Sequence, residues 1–346
     1  MLLLLRSPLL LLPLLLVLLL RPQRLSSLAP AASNAIVVHT YTDLKKLYFP
    51  EFHSRFRNFT FPTAAPLRRL NVIIEQHYRK NGAGVGSAVW EGASVLSHFL
   101  AGAGRELAFG MCGGGRINVL EVGAGQGLVS ITAGLSLLSA PALCREALIV
   151  ATDGDANVLA QTRNNILRNI ATSSTSVNIS ARLMKWGDAH DMDAVRLQLD
   201  GNLPLLIVAA DVVFEMKEDT PRQNMSTATL HASPNMAMHA ANHAFRALAS
   251  TFSHLCKQNK QQCLILLAYK RRRARESSFF ELMFSEGFLK RKLKQRFLRP
   301  RRLRGDFEIY AFAPRRSTMN LLDQGRKHLF EDTIIGKMKS TRSQDL

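Results

Sequence analysis

The sequence predicts a doubly wound α/β fold with a short hairpin ahead of it. Three observations carry this reading. Val119-Leu-Glu-Val-Gly-Ala-Gly-Gln-Gly127 runs as an apolar strand into glycines at 123, 125 and 127, and then into an apolar helix from Leu128 to about Leu138. A strand that turns tightly through glycines into a helix brings backbone N–H groups close to a ligand. Residues 147–152 form a second apolar strand, which ends in Asp153-Gly-Asp155. Leu205-Leu-Ile-Val-Ala-Ala210 is apolar throughout, as a parallel strand buried on both faces must be, and it stops at Asp211. In such sheets ligands sit at the carboxyl ends of the strands, so the residues that end these three strands define the candidate site.

The totals agree with a sizeable core. At 346 residues with 47% hydrophobic content the chain is not a disordered one. Lys and Arg number 45 against 26 Asp and Glu, a net +19 that points to acidic partners or to basic terminal segments. Cys112, Cys144, Cys256 and Cys263 lack C-x-x-C spacing, and the histidines show no paired-ligand pattern. The expectation is therefore no metal site and no disulfide framework.

Taken in order, residues 1–33 form a leucine-rich leader with arginines and no acid, read as a targeting or anchor segment. The run 2–20 is short for a full membrane span and carries two prolines, but it allows membrane contact. Residues 41–80 mix aromatic and basic side chains and read as a half-buried hairpin, with a strand over 70–76. From Val89 to Leu100 the apolar positions recur at helical spacing, with Trp90 at the head and Glu91 next to it. Residues 101–116 read as a glycine-rich connector.

The second half continues the alternation. A helix over 156–169 follows Asp155. Ala181–Asp188 reads as the third strand with a polar turn through Trp186-Gly187-Asp188. Residues 191–200 suggest a short helix. Residues 216–238 are polar and aperiodic, long for a loop inside a compact domain, and read as an insert or lid. A helix over 240–257, a strand over 263–269, the basic run Lys270–Arg273 and a helix over 276–286 come next. Strands over 289–299 and 307–313 are placed to pair antiparallel. The stretch 314–346 is basic and polar and reads as a mobile tail.

The glycine loop discriminates between ligands. A dinucleotide fingerprint needs a third glycine where this chain has Leu128. The spacing E-x-G-x-G-x-G, with Glu121 two residues ahead of Gly123, is instead similar to motif I of the seven-β-strand methyltransferases, which bind S-adenosylmethionine (SAM). Gly84-Val-Gly86 with Val89-Trp90-Glu91, Thr152-Asp153, Trp186-Gly187 and Asp211-Val-Val-Phe214 match in order. Tyr269-Lys270-Arg271, Phe279-Phe280 and Gly287-Phe288 extend the match through the late strand–helix–strand segment. Over about residues 59–313 the chain resembles the seven-β-strand protein-lysine methyltransferases.

The resemblance implies a Rossmann-like, seven-stranded sheet with an antiparallel last strand, spanning a methyltransferase domain over 34–313. It implies SAM as cofactor, with Trp90, Glu121, Gly123, Gly125, Gly127, Asp153, Trp186 and Asp211 at the cofactor site. Asp211 and Phe214 would border the acceptor channel as catalytic residues, and no metal is needed. Position 214 is Phe where the family often has Tyr, so no hydroxyl acts there. The expected partner is a protein presenting a lysine to a monomeric enzyme. Two alternatives compete with this reading: methylation of RNA or a ribosome-associated target, and a non-catalytic SAM-binding assembly factor. The first lacks the N-P-P-[YF] signature of adenine methylation after the fourth strand. Because SAM is supplied inside cells, the leader is read as mitochondrial in preference to an endomembrane anchor or a cytoplasmic location.

Overall fold

A computed structural model describes residues 50–63, 69–78, 84–170, 176–214, 234–257, 259, 262–272, 276–298, 307–315 and 327–331. The chain divides after Pro50, and the account below concerns the second unit, which begins at Glu51. The leader 1–33 lies outside the described residues. Among the described residues no helix is long and apolar enough to cross a membrane.

Two strands, β1 (Phe56–Pro62) and β2 (Arg69–Glu75), pair antiparallel as the expected hairpin. The main sheet holds β3 (Arg116–Val122), β4 (Glu146–Asp153), β5 (Val177–Leu183), β6 (Leu205–Ala210), β7 (Cys263–Lys270), β8 (Phe288–Lys292) and β9 (Phe307–Pro314). Its order is β5-β4-β3-β6-β7-β9-β8, with the first five parallel and β9 antiparallel to both of its neighbours. This is the doubly wound, seven-stranded Rossmann-like sheet with an antiparallel last strand. The strand order reverses between β3 and β6, which opens a crevice at their carboxyl ends.

Strand alternation sorts the core into two layers. Val119, Ile149, Leu206 and Leu264 face one side. There they meet α1 (Glu91–Ala101) through Val95, Leu96 and Phe99, and α2 (Arg105–Phe109) through Leu107 and Phe109. Leu120, Val150, Ile207 and Ile265 face the other side, against α6 (Pro234–Lys257) through Phe245, Leu248 and Phe252, and α7 (Ser277–Ser285) through Phe279. Between α2 and α6 along the chain lie α3 (Leu128–Leu138), α4 (Ala156–Asn169) and α5 (Ala189–Arg196). The hairpin buries Phe59, Phe61, Val72 and Ile74 against Leu128 and Ile131 of α3 and Ile166 of α4. Glu75 clips it there, accepting from Arg55 at 2.8 Å and from Arg168 at 2.7 Å.

Several local expectations are corrected. The glycine-rich connector 101–116 holds α2 and a 3-10 turn, because burial of Leu107, Ala108 and Phe109 outweighs the glycines around them. The third strand starts earlier than expected, running over Val177–Leu183, while Trp186 stands in the turn beyond it as expected. Helix α6 opens at Pro234, since proline suits a first helical turn. The insert 216–238 otherwise lies outside the described residues. The expected strand 289–299 ends at Lys292 and gives way to a 3-10 turn over Gln295–Phe297. In the tail, Leu329 and Phe330 are buried and Phe330 bridges Leu293, so an apolar pair anchors that part of it.

The cysteines are a further correction. Cys112 is bonded to Cys144 and Cys256 to Cys263, with Cα separations of 5.5 and 5.6 Å. Pairing follows spatial proximity rather than spacing along the chain. The turns that lead into β3 and β4 lie side by side because those strands pair, and the end of α6 returns directly to the start of β7.

Candidate active site

The glycine loop is built by backbone geometry. Gly123, Gly125 and Gly127 have φ of 72°, 52° and 81°, values that side chains strain against. Space is short as well: a Cβ on Gly123 would lie 2.7 Å from Val212 Cγ1, and one on Gly125 would lie 3.2 Å from the Gly86 carbonyl. The loop therefore approaches the 84–90 segment and the end of β6 only as glycine. A cavity of about 590 Å³ opens there. It is lined by Trp90, Glu121, Gly123, Gly125, Asp153, Trp186, Asp211 and Phe214, so nearly all the residues singled out from sequence come together. Gly127 is not on the wall. It starts α3 and packs against Thr162, where its Cβ would come within 2.9 Å of Thr162 Cγ2.

The acids differ in what they face. Glu121 is buried and accepts from the backbone N–H of Ser130 at 2.9 Å and its hydroxyl at 2.5 Å. Burial pushes its carboxyl up to about 8, against the Ser130 hydrogen bonds. It forms the floor of the cavity, and its hydrogen bonds go to α3. Asp153 accepts from the Gly125 N–H at 2.9 Å and stands at the carboxyl end of β4 beside the loop. Burial raises its carboxyl too, opposed by the N–H groups of Gly125 and Asp155. Asp155 caps α4 and Asp188 caps α5, which leaves Asp153 as the acid on offer to a ligand at this edge.

Trp90 precedes α1, lines the cavity and donates from Nε1 to the Val85 carbonyl at 2.8 Å, which fixes its ring. Trp186 is half-buried and also lines the cavity, 3.4 Å from where a Gly123 Cβ would be. Gln126, not singled out from sequence, donates to the Gly86 carbonyl at 2.7 Å while its buried Oε1 has no partner among the described residues.

Asp211 is the most constrained residue of the site. Its φ of 55° is the only positive value at a non-glycine among the described residues. One carboxylate oxygen accepts from the Gly92 N–H at 2.6 Å, so Asp211 caps α1 from outside the helix. The other accepts from Arg272 at 2.5 Å, and only 5% of the side chain is exposed. Gly92 is required, since a Cβ there would lie 2.4 Å from the carboxylate. Arg272 and Gly92 were missed as site residues. Arg272 was readable only as part of a basic run, although it stands just past the carboxyl end of β7, where the placement rule that found Asp153 also applies.

The cavity fits SAM on its own evidence. The glycine cradle excludes any Cβ, the unpartnered Gln126 Oε1 awaits a donor, and Asp153 offers a carboxylate at a strand end. A volume near 590 Å³ is in the range for a nucleoside-sized ligand.

Known proteins point the same way. A profile of the lysine methyltransferase family matches residues 69–239. The chain is 27% identical over 243 residues to the protein N-lysine methyltransferase METTL21A of Xenopus tropicalis, covering 70% of this chain and 84% of the relative. It is 30% identical over 202 residues to the protein-lysine methyltransferase METTL21E of Bos taurus, covering 58% of this chain and 53% of that relative. For METTL21E of Mus musculus the identity is 30%, and the shares covered are 57% and 61%. The chain therefore spans little more than half the length of the mammalian relatives. The profile covers just under half of the chain; with this sheet and this glycine loop it supports a SAM-dependent methyltransferase with the seven-stranded fold that is similar to the protein-lysine methyltransferases.

Proposed function

We propose that the protein transfers a methyl group to a lysine side chain of a protein substrate. One observation carries the reading: Asp211 and Phe214 place a buried carboxylate and an aromatic ring on the wall of the same cavity as the glycine loop. Bound SAM supplies an electrophilic methyl group for in-line displacement. The chain's own part is to hold and desolvate the acceptor. A lysine amine has a free pKa of about 10.4 and must arrive uncharged. Burial beside Phe214 and Val212 disfavours the ammonium. Asp211 accepts an N–H from the neutral amine and so aims its lone pair. A carboxylate has roughly four acceptor positions, so a third hydrogen bond is open to Asp211 beyond those from Gly92 and Arg272. Phe214 narrows the channel without adding a hydroxyl.

The test is transfer of a labelled methyl group from SAM into cell extract, split between protease and ribonuclease treatment, with methyl-lysine read by mass spectrometry. Asp211→Asn is the control, because it keeps an acceptor for the Gly92 N–H. A protein band that survives ribonuclease, contains methyl-lysine and is lost in the variant is the expected result. Label that ribonuclease removes would replace the lysine reading with an RNA substrate.

A further inference from the structure

We infer that Arg272 is a positioning residue of the acceptor channel, which holds Asp211 and cancels its charge so that an incoming amine stays neutral. The inference rests on the lysine reading above. An unpaired carboxylate within hydrogen-bond reach of an amine stabilises the ammonium, the unreactive form, and shifts its titration upward by about one to three pH units. Asp211 alone would thus work against the reaction it orients. Arg272 removes that conflict. Its planar guanidinium lies against the Asp211 carboxylate on the cavity wall.

The arrangement behind Arg272 shows that its direction is set. The carboxylate of buried Glu276 accepts from the Arg272 backbone N–H at 2.9 Å and from the Tyr269 hydroxyl at 2.8 Å. Glu276 thereby pins the segment that leaves β7 and leaves the guanidinium to reach Asp211. The other charged groups around Asp211 are already answered or lie elsewhere on the cavity wall. Glu91 of α1 pairs with Lys270 at 3.6 Å. Glu121 and Asp153 end β3 and β4, Lys185 follows β5, and His243 projects from α6. In the Asp211–Arg272 pair each partner's charge therefore answers the other's.

The test uses the full chain with Arg272→Gln, which keeps length and a donor but loses the charge, and Arg272→Lys, which keeps the charge. Thermal melting first establishes that both are folded. Two readouts follow. Titration with SAM and with its by-product S-adenosylhomocysteine, which lacks the sulfonium charge, reads the charge balance without any acceptor. Arg272→Gln leaves an unpaired carboxylate in the shared cavity and is expected to tighten SAM relative to the by-product about 3- to 10-fold, while Arg272→Lys keeps the wild-type ratio. Methyl transfer measured from pH 6 to 10 is the second readout. The expected loss in Arg272→Gln is about tenfold or more near pH 7 and closes at alkaline pH, with the rising limb moved by about one unit. An unchanged binding ratio together with a pH-independent loss in both variants would overturn the inference and make Arg272 structural. Should the wild type label RNA and not lysine, the lysine reading fails by itself, and the binding ratio still decides whether Arg272 cancels the Asp211 charge.

Discussion

The two ends of the parallel strands are built by opposite rules. At the carboxyl ends the chain accepts left-handed glycines, a left-handed Asp211 and two acids whose carboxyls burial raises. At the amino ends the left-handed Gly113 and Gly114 sit in an uncrowded turn, beside two disulfides and the exposed Arg116–Glu146 pair. The comparison teaches where this fold places strain. Close backbone approach and buried charge cost stability and are kept where a ligand needs them. The opposite end carries covalent ties and apolar packing that offset the cost.

The contrast can be broken from either side. The largest effect expected is on stability at the amino ends. Replacing Cys112 and Cys144 by Ser should cost about 3–4 kcal/mol for a loop of this length. SAM affinity, measured by titration well below the melting temperature, should be unchanged, and a large loss of binding would show that the two ends are coupled. Disulfides persist in oxidising compartments. A thiol count on protein from its own host, expected to find no free thiol before reduction, would therefore tie the base of the sheet to the cell.

At the other end, Gly123→Val adds a clash with Val212 and a strained φ, together about 3 kcal/mol; the loop escapes them by leaving its ligand-binding conformation, and restoring that conformation on binding costs on the order of 100-fold in SAM affinity. Calorimetry should find this with a smaller change in melting temperature than the cysteine variant gives. Equal losses in both measurements would mean that the loop supports the fold as much as the ligand.

The buried acid gives a pH signature. The folded carboxyl of Glu121 titrates near 8 against 4.5 for the free group, so between these values the native state binds more protons than the unfolded chain. Stability contributed at this position is therefore greatest below about pH 4.5 and declines as pH rises toward 8. Glu121→Gln should flatten the melting temperature across that window, and a slope identical to wild type would assign the dependence elsewhere. The smallest effect belongs to Arg116→Ala. Its partner Glu146 is exposed, and such pairs contribute about 0–1 kcal/mol, so chemical denaturation should show a shift of no more than that.

Much of the site was legible because its signals are local. Glycines at 123, 125 and 127 mark a turn that other residues strain against, and an acid that closes an apolar run, as Asp153 and Asp211 do, marks the ligand end of a strand. Helices over 128–138 and 156–169 follow from an apolar stretch and from an aspartate cap. What could not be read depends on packing between distant segments. Arg272 meets Asp211 across 61 positions, and Gly92 meets it across 119. Cys112 reaches Cys144 only because β3 and β4 lie side by side.

By itself, then, the sequence determined the alternation of strands and helices, the cofactor loop and the acids that close the strands. These are written in short windows by periodicity, backbone freedom and side-chain chemistry. Only the tertiary structure decided which oxygen of Asp211 faces which donor, that Glu121 serves the floor while Asp153 faces the cavity, and that all four cysteines are paired. Charge balance and proximity are properties of groups brought together from far along the chain, and no local pattern encodes them.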